Sequence, residues 1–492
     1  MSLKFVKTIL DDVHGLIPIT SIEKEIIDTR IFKRLQDIKQ LSLTHWIFPG
    51  SEHTRYSHSL GVMHIIDKMA LSLNFSDEDR QIVRLAGLLH DIGHYPLSHV
   101  GEAAYSKNIQ SYGQEKEFFN GIIAAQYKEI EQKIVKIKNQ VITKDFLTLQ
   151  TNKFHHEKVS SKIATENKEI LEIFEKYLKM PDFEIKQNID NLKQQLHHMI
   201  TGYVDMDMDD SLCVKIQLLH SELDADRLDY LLRDSKSSGT SYGTIDIDFL
   251  ISNLKIGSYE GKSIVGIDKK AINAADQFMI SRFFAYTNVI FNDKVSFLGE
   301  IAELLMRSFA KENDCGLITK DVFENEIIDN KDLKDNKITD SFYKFNDVSF
   351  WNLIYYKDQD YFPEFLKNIK SILLQKKSIK CIDKTELRII TNSVKEFVDA
   401  CESTIQKINK ENYPIFIVYN LTKHVPKEKF ESLFNKDVKL KNEKMIRRLY
   451  DGLAVIDDKE CHLLIDDRQS LIHNCWNLTL YCLREYDLKQ NS

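Results

Sequence analysis

Proline is scarce in this chain, seven in 492 residues alongside seventeen glycines, so few positions force the backbone out of a helix. Seven cysteines are present: Cys213, Cys315, Cys381, Cys401, Cys461, Cys475 and Cys482. Their odd number and the lack of a close pair at metal-binding spacing argue against a disulfide framework and a thiolate metal site, and favour reduced thiols. No run of eighteen apolar residues occurs, which excludes an all-apolar membrane-spanning helix, and the first residues lack the apolar stretch of a secretory leader. A cytoplasmic protein without a membrane partner is expected. Net positive charge is missing as well. The 67 Lys and Arg against 74 Asp and Glu leave −7, which argues against broad nonspecific nucleic-acid binding and leaves only local basic patches for such a partner. Internal repeats and extended low-complexity tracts are absent, so a repeat solenoid is not expected.

What the chain does have is an unusual histidine run. An apolar stretch of helical length, residues 82–89, leads into His90-Asp91-Ile92-Gly93-His94-Tyr95-Pro96-Leu97-Ser98-His99. Burying Asp91 in an apolar helix without a partner would be costly, so a metal ion is the natural occupant. Further donors stand at long range: His58 opens another apolar helical segment, and residues 222–234 carry several carboxylates on a third. Two imidazoles and two carboxylates form a mixed nitrogen and oxygen set that suits Fe, Mn, Zn or Mg and leaves room for water and substrate.

Other features have plainer readings. His64, His197 and His198 are read as hydrogen-bonded core histidines. Residues 205–210 resemble a cation loop in composition but lack the glycine and closing glutamate of an EF-hand, so a solvated turn is expected. The segment 257–263 has three residues between its glycines where a phosphate loop needs four. Flanked by apolar stretches, it reads as a hairpin turn.

The order His58, His90-Asp91, Asp226 resembles the HD superfamily of metal-dependent phosphohydrolases. From about residue 5 to 310 the chain is similar to the deoxynucleoside triphosphate triphosphohydrolases, the branch with the SAM-and-HD-domain proteins and their bacterial relatives. The similarity rests on Asp11-Asp12-Val13-His14-Gly15, Ile27-Asp28-Thr29, Ile38-Lys39-Gln40-Leu41, residues 48–62, residues 90–99, His156-Glu157, residues 226–234, Ser241-Tyr242-Gly243 and residues 278–282. The resemblance implies an all-helical catalytic core with metal ligands His58, His90, Asp91 and Asp226. The ion would be Fe, Mn or Zn, with additional Mg accompanying the triphosphate. It implies that His94, His99 and His156 position phosphates and exchange protons, with Glu102 standing where relatives carry an aspartate and orienting His156. Arg55, Arg227 and Arg282 would meet the phosphates, and Gln40, Tyr230 and Asp234 the sugar, with Leu41 packed against it.

The implied reaction converts a nucleoside triphosphate, a dNTP above all, into nucleoside and inorganic triphosphate. The rival readings are a phosphodiesterase or nuclease acting on a cyclic dinucleotide, alarmone or single-stranded nucleic acid, and a nucleotide-sensing partner protein with a slow site. A nucleotide activator and a homo-oligomer, dimer or tetramer, are implied partners. Three departures bear on the substrate. Aligned on Arg282, the family's tyrosine beside the sugar 2′ position falls on Ile290, and its His-Lys pair on Asn292-Asp293, with Lys294 one step later. At the activator site Asp28 is kept while Lys33 and Gln36 differ. A helical insertion, about 107–153, offers a lid, a docking surface or an ornament.

The expected fold is mainly α, with small antiparallel β additions. Residues 1–312 would form the catalytic domain, 313–345 a linker-like segment, and 346–492 an accessory α+β region. Helices are expected over 21–43, 59–73, 77–90, 158–177, 188–201, 213–234, 270–312 and 351–410. Strands are expected at 413–419 and as a hairpin of 453–457 with 462–466. No chemical motif stands out in the C-terminal third, and the cations of 439–448 read as a solvated helix face.

Overall fold

The computed structural model describes residues 3–106, 153–205, 208–259, 262–309, 317–328, 340–356, 370–375, 381–389, 415–421, 445–446, 453–457, 461–464, 469–471 and 479–487. Helices dominate these residues and the strands form small sheets, so the fold is mainly α. No helix among them is long and apolar enough to cross a membrane. The expected insertion, apart from Lys153, lies outside the described residues.

Three helices hold the centre. The Arg55–Ser72 helix is apolar on nearly every side, with Leu60, Val62, Met63, Ile65, Ile66 and Met69 all buried. A helix of that kind belongs in a core, where each buried Leu or Ile contributes about 1.5–3 kcal/mol. It packs against the Asp77–Leu89 and Ala225–Ser238 helices. Asp77–Leu89 starts at Ser76, whose hydroxyl accepts from the Asp79 N–H, and its first turn carries Asp77, Glu78 and Asp79 at the positive end of the helix dipole. Past its end the chain turns sharply, the His94 N–H donating to the Asp91 carbonyl at 3.0 Å. Gly93 permits that turn to lie on the His156–Glu166 helix, because a Cβ there would sit 2.4 Å from the Ser160 nitrogen.

Several expected long helices are broken by residues that cap better than they propagate. Thr29 separates Ser21–Asp28 from Arg30–Lys33, Asn167 separates His156–Glu166 from Lys168–Leu178, and Asp224 starts Ala225–Ser238 afresh after Asp210–Gln217. In the 270–312 stretch a π turn, Tyr286–Ile290, stands between the Ile272–Ala285 and Asp293–Phe309 helices. Asp209 caps the Asp210–Gln217 helix, so the acidic 205–210 stretch serves a helix start, with residues 206–207 outside the described set.

The 313–345 stretch does not behave as a linker where it is described. Phe323, Phe342 and Phe345 are buried, and Phe323 and Phe345 stand in ring contact with Tyr95 and Tyr105. Its polar composition hides an apolar face that is only a few aromatics wide. The Lys262–Asp268 strand pairs antiparallel with Leu254–Tyr259, as the hairpin reading requires, and parallel with Ala454–Ile456. Cys461–Leu463 completes a four-stranded mixed sheet, with the expected turn residues 458–460 and 260–261 outside the described ones.

A second, antiparallel sheet joins Cys381–Ile389, Thr479–Asp487 and Ile415–Leu421. Residues 381–389 are therefore strand where helix was expected; the alternation Lys384, Glu386, Arg388 is the period-two signal that the helical reading overlooked. Of the basic 439–448 stretch only Met445–Ile446 is described, and it pairs with Val204–Asp205.

Candidate active site

His58 lies on the first turns of the Arg55–Ser72 helix, His90 and Asp91 follow the end of Asp77–Leu89, and Asp226 sits on the first turn of Ala225–Ser238. The ligand atoms of His58, His90 and Asp91 lie within 4.8 Å of one another. His58 Nε2 is 2.9 Å from Asp226 Oδ1 and 3.8 Å from Asp91 Oδ2, and His90 Nε2 is 3.6 Å from Asp91 Oδ1 and 3.9 Å from Asp226 Oδ1. Both Nε2 atoms are buried; among the described residues His90 Nε2 has no hydrogen-bond partner, and His58 Nε2 faces the Asp226 carboxylate alone. Buried polar atoms of that kind need an occupant, and two imidazoles facing two carboxylates fit a divalent cation. Asp226 keeps 39% of its side chain exposed, which opens the cluster on one side. Burial works against a charged His58, yet Asp226 and Asp229 outweigh it and hold its pKa up to about 10. Burial also opposes ionised Asp91, but Arg55 and the surrounding histidines keep its carboxyl well below the usual range.

A second layer fixes the rings. His58 Nδ1 lies 2.8 Å from Asp229 Oδ2, and His90 Nδ1 is 2.8 Å from the Gly87 carbonyl. Asp229 is also met by His14 Nε2 at 2.6 Å and by Arg233, whose guanidinium reaches on to Asp11. Asp11 in turn accepts the Val13 and His14 N–H groups, shaping the hairpin between Phe5–Asp11 and Gly15–Thr20 that presents His14. This explains the Asp11-to-Gly15 motif, for which the sequence suggested no role. Gly61 makes room for the layer: a Cβ there would fall 1.8 Å from Asp229 Oδ1.

Arg55 bridges the ligand and the loop after it. Its Nη1 donates to Asp91 Oδ2 at 2.6 Å and its Nε to Ser98 Oγ at 2.9 Å. Leu97 and Ser98 take left-handed backbone angles, φ +54° and +55°, at about 1–2 kcal/mol each for residues other than glycine. Consecutive strained residues persist only where their surroundings hold them.

The remaining histidines form a second cluster with Glu102. The His94 and His156 rings stack at 4.5 Å, and His99 stands edge-on to both. Glu102 Oε2 lies 2.9 Å from His156 Nδ1 and 3.0 Å from His99 Nδ1. Burial and the nearby Arg55 and His156 drive the His94 pKa well down, so its ring is neutral. Burial opposes a charged His156 too, but Glu102 prevails and raises its pKa to about 9. Asp91 connects the clusters, with Oδ1 4.0 Å from His156 Nε2. His155 and Glu157, which the sequence reading left without roles, border this group, His155 Nε2 lying 3.5 Å from Glu102.

Of the expected substrate residues, Arg227 and Tyr230 feel the charge of Asp226. Arg227 pairs with Asp224 and Arg282 with Glu222, and the two arginines and Tyr230 interact electrostatically with one another. Gln40 is buried with its Oε1 unpartnered, and Leu41 packs at the edge of the core. Asp234 is engaged by His53 Nε2 at 2.8 Å. His197 and His198, expected in the core, are hydrogen-bonded but not core residues, because both lie on the outer side of the Ile189–Thr201 helix. His197 is exposed and bonds Ser161 Oγ, and His198 is half-buried and bonds the Tyr203 carbonyl. His64 stands in ring contact with His14, and burial lowers its pKa to about 4.

Residues 55–233 match the family model of the HD domain. The chain carries an HD domain. The matched residues include His58, His90 and Asp91, whose ligand atoms could hold a metal ion, as suits a domain of metal-dependent phosphohydrolases. An uncharacterised protein of Methanocaldococcus jannaschii is 26% identical over 466 residues, 90% of this chain and 84% of that one. The chain spans about half the length of several other curated relatives it matches. The deoxynucleoside triphosphate triphosphohydrolase of Homo sapiens is 40% identical over 106 residues, 20% of this chain and 17% of its own. The crystal structure of a hypothetical protein from Aquifex aeolicus shares the fold, with a TM-score of 0.62 at 22% identity, over 97% of this chain and 96% of that one.

Proposed function

We propose that this HD-domain protein is a metal-dependent triphosphohydrolase that cleaves a deoxynucleoside triphosphate into nucleoside and inorganic triphosphate. His58, His90, Asp91 and Asp226 are the ligands in this reading. The observation that carries it is the sharing of Asp91, which belongs to the metal cluster and approaches His156 of the second histidine set, so that one phosphate can meet both. A divalent ion bound there would lower the pKa of a coordinated water and withdraw charge from a phosphoryl oxygen.

The protein's own groups do the rest. Water oxygen bonds to the α-phosphorus, the bond from that phosphorus to the 5′-oxygen breaks, and the 5′-oxygen departs as a hydroxyl by taking up a proton. In this reading His156 gives it, a role supported by its raised pKa and its bond to Glu102. His94 and His99 flank the phosphates, and Arg55, Arg227 and Arg282 offset their charge. Gln40, Tyr230 and Asp234 meet the sugar, with Leu41 against it.

The π turn bears on sugar selection. A π turn adds one residue to a helix, which advances Phe291 into the register that simple counting from Arg282 gives to Ile290 and accounts for Lys294 standing one step late. Phe291, in ring contact with Tyr286 at 5.5 Å, is then the aromatic beside the 2′ position. A nucleotide activator near Asp28, Lys33 and Gln36 and a homo-oligomeric assembly complete the proposal; Asp28 is held at the surface by Lys24 and Lys33.

The test is incubation of the purified protein with Mn, Fe, Mg or Co and each common dNTP and NTP, singly and mixed, with products resolved by chromatography. Nucleoside plus triphosphate is the expected result, and activity only in mixtures would reveal an activator. Monophosphate, or shortened oligonucleotides from a nucleic-acid substrate, would overturn it in favour of a diesterase.

A further inference from the structure

We propose that Asp347, which lies beyond the HD domain in sequence, is a positioning residue that sets the 92–99 loop and Arg55 for hydrolysis. The inference rests on the reading of the site just given. Asp347 Oδ1 accepts from the Leu97 N–H at 2.6 Å and Oδ2 from the Lys39 N–H at 3.0 Å. Ser98 Oγ closes the other half of a ring, donating to the Lys39 carbonyl at 2.7 Å and accepting from Arg55 Nε. Arg55 is thereby aimed at Asp91. The start of the loop is gripped by a second buried charge: Arg34 donates to the carbonyls of Ile92, His94 and Phe345 at 2.9, 2.8 and 2.6 Å. Both grips lead to the same segment, 345–347, which the buried Phe342, Phe345 and Phe350 anchor in the core.

Two facts separate this role from simple stabilisation. Asp347 holds Leu97 and Ser98 in a backbone region that L residues rarely adopt, which a loop selected only for stability would avoid. Burial also outweighs the two N–H donors and pushes the Asp347 carboxyl up to about 6, so its ionised form is a load on the fold. A costly buried carboxylate whose bonds among the described residues are to backbone amides of the loop and of residue 39 fits positioning.

The experiment compares Asp347→Asn and Asp347→Glu with the full-length parent. Asn keeps the volume but turns a donor toward one of the two N–H groups, whereas Glu keeps both acceptors on a longer arm. For Asp347→Asn we expect kcat to fall about 10–100-fold with KM within about threefold, as for loss of outer support to a metal site. Faster amide exchange confined to residues 92–102, unchanged Mn2+ affinity and an unchanged melting temperature should accompany it, and Asp347→Glu should recover part of the turnover. Unchanged exchange with kcat within about twofold would overturn the proposal, as would exchange raised throughout the protein with a lowered melting temperature. If Asp347→Asn does not fold, Ser98→Ala opens the same ring from its other side and must give the same local exchange and kcat loss. Failure of the underlying reading looks different: Asp91→Ala would then bind Mn2+ undiminished, or the parent would turn over no nucleotide, while local exchange still decides the clamp.

Discussion

The two histidine clusters of the site are built oppositely. At the metal cluster each ring's inner nitrogen is backed, His58 by Asp229 and His90 by a carbonyl, and behind Asp229 stand His14, Arg233 and Asp11. His58 cannot turn without leaving the buried Asp229 charge, nor His90 without leaving a buried carbonyl. The neighbouring cluster relies on one carboxylate, Glu102, shared between His156 and His99, and 68% of the His99 side chain is exposed. The contrast separates two tasks. Ligands profit from rigidity, whereas groups that pass protons and admit a substrate need access and a tunable charge.

The sharpest way to break the comparison is Asp91→Ala, which strikes both clusters. It should abolish metal binding and lower turnover by about a thousandfold or more, because several kcal/mol of charge stabilisation leave with the ion. Metal analysis and steady-state kinetics check it, and full turnover with metal retained would refute the ligand assignment. His156→Ala touches only the accessible cluster. Turnover should drop about 10²–10⁴-fold while metal content stays at the parental level. Asp229→Asn touches only the rigid one, and metal affinity should weaken about 10–100-fold as His58 loses its orienting charge, measured by competition with a chelator.

Smallest is a shift along the pH axis. His156 is held above its ordinary value, so its proton, and the stabilisation from its pairing with Glu102, persists at neutral pH and is lost only as pH rises through about 9. In Glu102→Gln, burial acts against that proton unopposed by the carboxylate. The alkaline limb of kcat should move down toward or below pH 6.5, cutting activity more at pH 8 than at pH 6. An unmoved limb would assign it to another group.

Much of this was legible from residue order alone. Histidine and aspartate at the ends of apolar helices carry their own argument, since burial without a partner is penalised wherever the fold puts them. The coarse helical character followed from periodicity. What escaped was everything set by side chains meeting from distant parts of the chain. Asp229 looked like one acid among several on its helix, and only the approach of His14 and Arg233 reveals it as the support of His58. Asp347 sits in the expected accessory region, two residues past the stretch whose composition suggested a linker, and a carboxylate that binds two backbone N–H groups leaves no sequence pattern. The π turn was invisible for a similar reason. Its extra residue changes the helical register without any proline or glycine to mark it.

The mixed sheet has a consequence for synthesis. Lys262–Asp268 finds its parallel neighbour in Ala454–Ile456, far later in the chain. At a translation rate of about 5–20 residues per second, one edge of that strand emerges and waits roughly 10–40 s for its partner. An unpaired edge is a template for any other chain nearby, so the newborn protein passes through an interval of adhesiveness that the finished one has closed. A ribosome halted before residue 454 would release a chain with most of its chemistry encoded and that edge still open.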